Sequence, residues 1–306
     1  MPIPDFQTLM LPMLKSTVDG KEYGHQELLN SLAVTFRLSE EEINELLPSG
    51  RQTRFDNRSR WAKIYLLKSG LLEYSRRGFV RITERGKAVL AQNPTKIDMV
   101  FLKQFPEYVE FKRKSKRENG TNISEEAFSE KDITPEETID RGYLEIRKAL
   151  ASELLEQVLN VSPARFERLV IDLLVKMGYG GGFKDAGTHA GKSGDEGIDG
   201  TIREDKLGLD MIYIQAKRWK PGNQVGRPEI QKFVGALAGQ GAKKGIFITT
   251  SSFSKEARDY SPKNETKIVL IDGDELAQLM IDYNLGVSVI STYEIKRIDS
   301  DYFGEE

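Results

Sequence analysis

Residues 211–217, MIYIQAK, constrain the fold of this 306-residue chain more than any other stretch. The run is long enough for one strand and rich in β-branched and aromatic side chains. It then places Gln215 and Lys217 where further apolar residues would be expected. Side chains alternate along a strand, so Tyr213, Gln215 and Lys217 share one face, and Ile212, Ile214 and Ala216 the other. A buried lysine without a partner is very unfavourable, so the fold must supply one. Asp199, in GDEGIDG, stands at the start of the preceding strand. A hairpin through EDKLGLD brings it beside Gln215, and a carboxylate, an amide oxygen and an ammonium then surround one point.

Those three groups suit metal-assisted hydrolysis of a phosphodiester. Hard oxygen ligands fit Mg²⁺, with Mn²⁺ able to stand in, and such an ion keeps several waters and needs few protein ligands. It polarises the phosphate and acidifies a bound water. Lys217 orients that water or offsets charge on the phosphoryl oxygens. Gln215 is neutral, so a second carboxylate helps hold the ion. Glu167, on a nearly all-apolar helix with Val170 and Ile171 at the next turn, is the best candidate. Asp195 is weaker, because a Gly-rich turn often carries a surface Asp. The bland alternative is a structural Asp199–Lys217 ion pair with Gln215 a satisfied polar group. Convergence of several such groups on one place favours the site.

Composition removes other chemistries. There is no cysteine, which excludes disulfides and thiolate zinc sites, and only two histidines, which excludes a three-histidine metal site. No apolar run approaches the roughly 20 residues of a membrane helix. The N-terminus lacks the basic and apolar regions of a signal peptide, so a cytoplasmic protein without membrane partners is expected.

The chain divides by pattern. Residues 1–95 read as three or four helices followed by a hairpin, LLEYSRRGFVRIT, which is a mostly α winged-helix arrangement. Residues 96–150 read as a polar, partly acidic linker; 118–145 hold nine acidic against two basic side chains. That acidity reads as a solvated spacer, the alternative being a stretch that covers a basic DNA surface. Residues 151–290 alternate short apolar strands with helices, giving an α/β domain with a central mixed sheet. Residues 291–306 form a tail.

Residues 51–87 hold eleven Lys and Arg against three Asp and Glu. Arg60 and Lys63 fall one turn apart on the polar side of the helix containing Trp61, and Arg76 and Arg77 sit at the hairpin tip. A helix in the major groove with a wing on the backbone uses such positions. AGTHAGKS, residues 186–193, imitates a phosphate loop but lacks the flanking strand and helix. It reads as a loop over the site, where Lys192 touches DNA.

FERLVIDLLVKMGYGG, GDEGIDG, IYIQAKRW, VGRPEIQKFVGALAGQ and GIFITTSSFSKEARDY together resemble the Mrr family of restriction endonucleases. The resemblance covers the C-terminal half most specifically and extends to the winged-helix half. It implies a nuclease domain of the PD-(D/E)xK superfamily in its D…QxK variant, with active residues on Asp199, Gln215 and Lys217 and the helix glutamate on Glu167. It further implies restriction of foreign DNA bearing methylated bases. The alternatives are a structure-selective nuclease for junction or repair intermediates, and a DNA-binding regulator with an inactive nuclease domain. The intact Asp199, Gln215 and Lys217 set argues against the regulator. Cutting both strands of double-stranded DNA with one site per chain implies a homo-oligomer, a dimer or higher.

Overall fold

The computed structural model describes residues 2–118, 133–180, 188–189, 197–205, 209–260, 266–296, 298 and 302. It separates into two compact units. One comprises Met1–Leu144 with Ile295–Glu306, the other Glu145–Glu294.

The first unit is built as the hairpin and helix signals predict. Helices α1 (Phe6–Ser16), α2 (His25–Phe36), α3 (Glu40–Asn44) and α4 (Arg54–Lys68) precede the hairpin of β2 (Leu72–Arg76) and β3 (Phe79–Ile82), and α5 (Glu84–Ala91) follows it. The Ser39/Glu42 capping box is present in both directions, the Ser39 N–H reaching the Glu42 carboxylate at 2.8 Å. A two-residue strand, β1 (Tyr23–Gly24), pairs antiparallel with β3 and completes a three-stranded sheet of order β1-β3-β2. Nothing in the sequence announces it, because two residues carry no period. Leu9, Met10, Met13, Leu14, Leu28, Leu32, Phe55 and Leu66 are sealed in the core between α1, α2 and α4.

The expectation of a polar linker over 96–150 is corrected. Residues 99–118 and 135–160 are largely helical: α6 (Met99–Leu102), α7 (Pro106–Glu118) and the 26-residue α8 (Pro135–Asn160). Leu102, Phe105 and Tyr108 bury themselves in the first unit's core, which therefore extends well past residue 95. The boundary between the units falls inside α8.

The second unit is an α/β layer structure. Helix α9 (Pro163–Lys176) starts at Ser162, whose hydroxyl accepts the Arg165 N–H at 3.3 Å, with Pro163 in the first turn. The five-stranded sheet has the order β4 (Thr188–His189), β5 (Gly200–Arg203), β6 (Met211–Lys217), β7 (Lys244–Thr249), β8 (Lys267–Ile271). Pairs β4/β5 and β5/β6 are antiparallel, while β6/β7 and β7/β8 are parallel. The parallel pairs require crossovers, supplied by α10 (Arg227–Gly239) and α11 (Lys255–Arg258). Alternation then splits the core in two. Ile202, Ile212, Ile214, Ile246, Ile248 and Ile271 pack with α9 and α12 (Gly273–Asp282) on one face. Phe247 packs with Phe233, Leu237 and Phe253 on the other, joined by the half-buried Tyr213. Burying each such side chain contributes about 1.5–3 kcal/mol. Gly245 is required by this second layer: a Cβ there would lie 2.7 Å from Leu237 and 2.8 Å from Phe233.

Candidate active site

The site forms where β5 and β6 stop pairing. Gly200 lies opposite Ile214, and β6 runs three residues further, to Lys217. Asp199, just before β5, donates its N–H to the Ile214 carbonyl at 2.8 Å and turns its carboxylate into the gap. There Oδ2 accepts the Ala216 N–H at 2.7 Å, a ladder donor that β5 no longer serves. Continuing the register puts Asp199 level with Gln215. Asp199, Gln215 and Lys217 thus share the face that carries Tyr213, as the strand period requires.

Each group is prepared differently. Burial pushes the Asp199 carboxyl up, against the opposing pull of the Ala216 N–H and the positive field of Lys217. No ion pair joins Asp199 to Lys217 among the described residues, so the purely structural pair is not what the fold builds. Gln215 is only 5% exposed, and its amide lies against Gly197. Gly197, at φ +95°, makes room for it: a Cβ would sit 3.0 Å from the Gln215 nitrogen. A left-handed backbone pressed against an amide suits only glycine. One carboxylate oxygen without a bond and one amide oxygen fit a hard divalent cation that retains waters. Among the described residues no group of three or more His, Cys, Asp or Glu is placed to hold a metal.

Glu167 lies half-buried on α9, whose Val170 and Ile171 are buried with Ile212 and Ile214. Lys192 and Asp195 lie outside the described residues.

In the first unit the basic cluster is less free than its sequence suggests. Arg60 is exposed but donates to Asp56 at 2.8 Å. Asp56 also receives His25 at 2.6 Å and Gln52 at 2.7 Å. Burial alone would raise the Asp56 carboxyl, but these three bonds outweigh it and hold it well below the usual range. Lys63 is half-buried, 3.4 Å from His25 Nδ1, and burial pulls its pKa down. Arg76 and Arg77 are exposed at the β2–β3 turn, Arg76 stacking 3.5 Å over the Phe79 ring and pairing with Glu22 at 2.7 Å.

The acidic stretch is not wholly a solvated spacer. Glu137 is buried and accepts Arg54 at 2.9 Å and Arg58 at 2.8 Å, while Glu136 accepts the Trp61 indole at 2.6 Å. Two carboxylates of the run are therefore seated on α4. Sequence reasoning also passed over Thr249 and Thr250, whose signal is a pair of hydroxyls closing an otherwise apolar strand.

A family model described as a restriction endonuclease matches residues 158–280, and one described as the Mrr N-terminal domain matches residues 6–92. The type IV methyl-directed restriction enzyme EcoKMrr of Escherichia coli (strain K12) is 36% identical over 316 residues, covering 99% of this chain and 100% of that protein. Two solved structures also match over 46% of this chain. One is the DNA modification-dependent restriction endonuclease AspBHI, at 19% identity and a TM-score of 0.36 over 36% of that chain. The other is the MspJI restriction endonuclease in complex with a 27-mer oligonucleotide, at 23% identity and a TM-score of 0.34 over 33% of that chain.

Proposed function

The chain belongs to the Mrr family of restriction endonucleases, and from that premise we propose that it hydrolyses phosphodiester bonds in double-stranded DNA bearing methylated bases. The observation that carries the reading is the convergence of Asp199, Gln215 and Lys217 on one sheet face where two strands part. The EcoKMrr relative, matched end to end, is methyl-directed by its name.

A divalent cation, Mg²⁺ in this reading with Mn²⁺ able to replace it, would polarise the phosphate and acidify a bound water. Asp199 and Gln215 would hold it through oxygen, with Glu167 as a further carboxylate from α9. The rest is work for the chain. Asp199 must be ionised to serve, and its Ala216 bond fixes which oxygen faces the gap. The Lys217 ammonium stands over the same face, where it steadies the attacking water or meets the charge that grows on the phosphoryl oxygens as the P–O bond breaks. In the first unit, Arg76 and Arg77 at the wing and Arg60 on α4 contact phosphates and select the DNA. Lys192 does so near the cut. The protein acts as a homo-oligomer in the cytoplasm; among the described residues no helix is long and apolar enough to cross a membrane.

The test is cleavage of methylated plasmid, with unmethylated plasmid and branched DNA as controls. Lys217→Ala and Asp199→Asn should each cost about 10²–10³-fold in rate, the scale of losing one preorganised electrostatic group, while DNA binding survives. Cutting of branched DNA in preference to methylated duplex, or normal cutting by folded Lys217→Ala, would overturn the reading.

A further inference from the structure

Lys217 is the last residue of β6, held by the sheet ladder on the β7 side alone. Strand β6 ends at Lys217 and β7 ends at Thr249, the residue in register with it. Beyond that register the chain turns away, the Trp219 N–H closing back on the Lys217 carbonyl at 3.0 Å. On the other side, β5 has already stopped. A strand's last residue, held from one side only, is a poor platform for a side chain that must hold its place to a fraction of an ångström.

Two hydroxyls supply the missing support. Thr249 Oγ1 donates to the Lys217 carbonyl at 2.8 Å, and the Thr250 N–H reaches the same oxygen at 3.3 Å. Thr250 Oγ1 donates to the Trp219 carbonyl at 2.7 Å. Thr249 Oγ1 in turn accepts the Ser251 N–H at 3.2 Å, which fixes the direction in which it donates. Thr249 is 0% and Thr250 1% exposed. Burying a hydroxyl costs free energy unless it is bonded, and valine would fill the same space beside Phe247 and Ile248 at no such cost. A threonine pair at the end of an otherwise apolar strand therefore requires a reason that packing does not give.

We propose that Thr249 and Thr250 are positioning residues for DNA hydrolysis: their hydroxyls clamp the carbonyls on either side of Arg218 and so aim the Lys217 ammonium at the scissile phosphate. The inference rests on Lys217 being the lysine of the reaction. Neither threonine touches DNA or the reacting atoms. Each acts through the turn that follows the lysine.

The experiment is Thr249→Val in the full-length protein, the same shape without the donor. Steady-state cleavage at saturating methylated DNA and Mg²⁺ gives kcat, and titration of the DNA gives the apparent KM. The Lys217 carbonyl keeps two other donors, so displacement is partial, and kcat should fall on the order of 10-fold with KM unchanged. Thr249→Ser, which keeps the hydroxyl, should recover most of the rate. Thr250→Val should show the same split with a smaller loss, its carbonyl lying two residues beyond the lysine. A folded Thr249→Val that cuts at the wild-type kcat overturns the proposal. So does equal impairment of Thr249→Ser and Thr249→Val, or a failure of both valine variants to fold, since the hydroxyls would then serve stability alone. Lys217→Ala is run beside them. If it still cuts, the reading of the site has failed; if it is dead while Thr249→Val is normal, only the positioning role has.

Discussion

Asp199 carries two demands that oppose each other. As a ligand it must be ionised; as a half-buried group it is penalised for ionising. Its folded pKa is raised above its unfolded value, so its contribution to stability is present at low pH and is lost as pH rises through the folded pKa. Above that pKa the metal-free protein therefore bears an ionised carboxylate it would be more stable without. Asn keeps an oxygen for the Ala216 N–H and removes the charge. Thermal melts in chelator should show Asp199→Asn melting above the parent at pH 7, the gap closing as the pH falls toward the carboxylate range. Equal melting at pH 7 would refute this. Proton and metal also compete for the same oxygens, so apparent metal affinity should begin to fall at a higher pH than an ordinary Asp would allow, measurable by titrating Mg²⁺ against binding or cleavage at several pH values. Asp199, Gln215 and Lys217 were legible because a period of two leaves no freedom over which face a strand residue takes. A helix pattern gives less: it shows that Glu167 sits on a largely buried helix without showing against which side of the sheet.

Helix α4 shows why charge counted in a window misleads. Its cations find partners far away in sequence: Arg54 and Arg58 on Glu137, Arg54 also on Glu45, and beyond the helix Arg76 on Glu22 and Arg85 on Glu107. A local surplus of positive residues is thus mostly a set of long-range pairs, visible only once α8 is placed. The helices of 99–160 escaped the sequence reading for a related reason. The α8 stretch mixes exposed Ile139, Tyr143 and Ile146 with buried Glu137, Leu154 and Val158, so no single apolar stripe runs its length. These pairs should not be equal. Glu137 is buried between two guanidinium groups; Arg54 keeps Glu45, but Glu137→Ala strands the largely buried Arg58 charge and should cost about 3 kcal/mol. Glu73, half exposed and 2.7 Å from Arg81, should cost under about 1 kcal/mol when replaced by Ala. Urea unfolding of both variants decides it, and comparable losses would show that Glu137 is not the buried tie it looks.

At the scale of the whole chain, the proposed function gives the two units separate contributions to DNA affinity, and the salt dependence of binding can apportion them. The cut that isolates the second unit lies at residue 144 rather than 95, since Leu102, Phe105 and Tyr108 belong to the first core and would be left bare by the shorter deletion. Residues 145–294 have their own sheet and two apolar layers and should fold alone, with intact far-UV dichroism and a cooperative melt. Losing the first unit removes its phosphate contacts. If every surplus cation of residues 51–87 met a phosphate, the log–log salt slope would fall by about 7, at roughly 0.9 per contact. Most of those cations are already engaged with carboxylates, and an ion pair must be given up before the guanidinium can serve DNA. Even the exposed Arg60 and Arg76 already meet carboxylates, so the fall should be well short of that figure. Preference for methylated duplex should disappear with the same deletion, while Asp199, Gln215, Lys217 and the two threonines still permit slow cutting at high protein concentration. Binding of methylated and unmethylated duplexes across a salt series, for the full chain and for 145–294, measures both quantities. A fall near 7 would mean the pairs open on DNA. An unchanged slope with the methylation preference intact would move recognition into the nuclease unit and leave the winged helix without the role assigned to it.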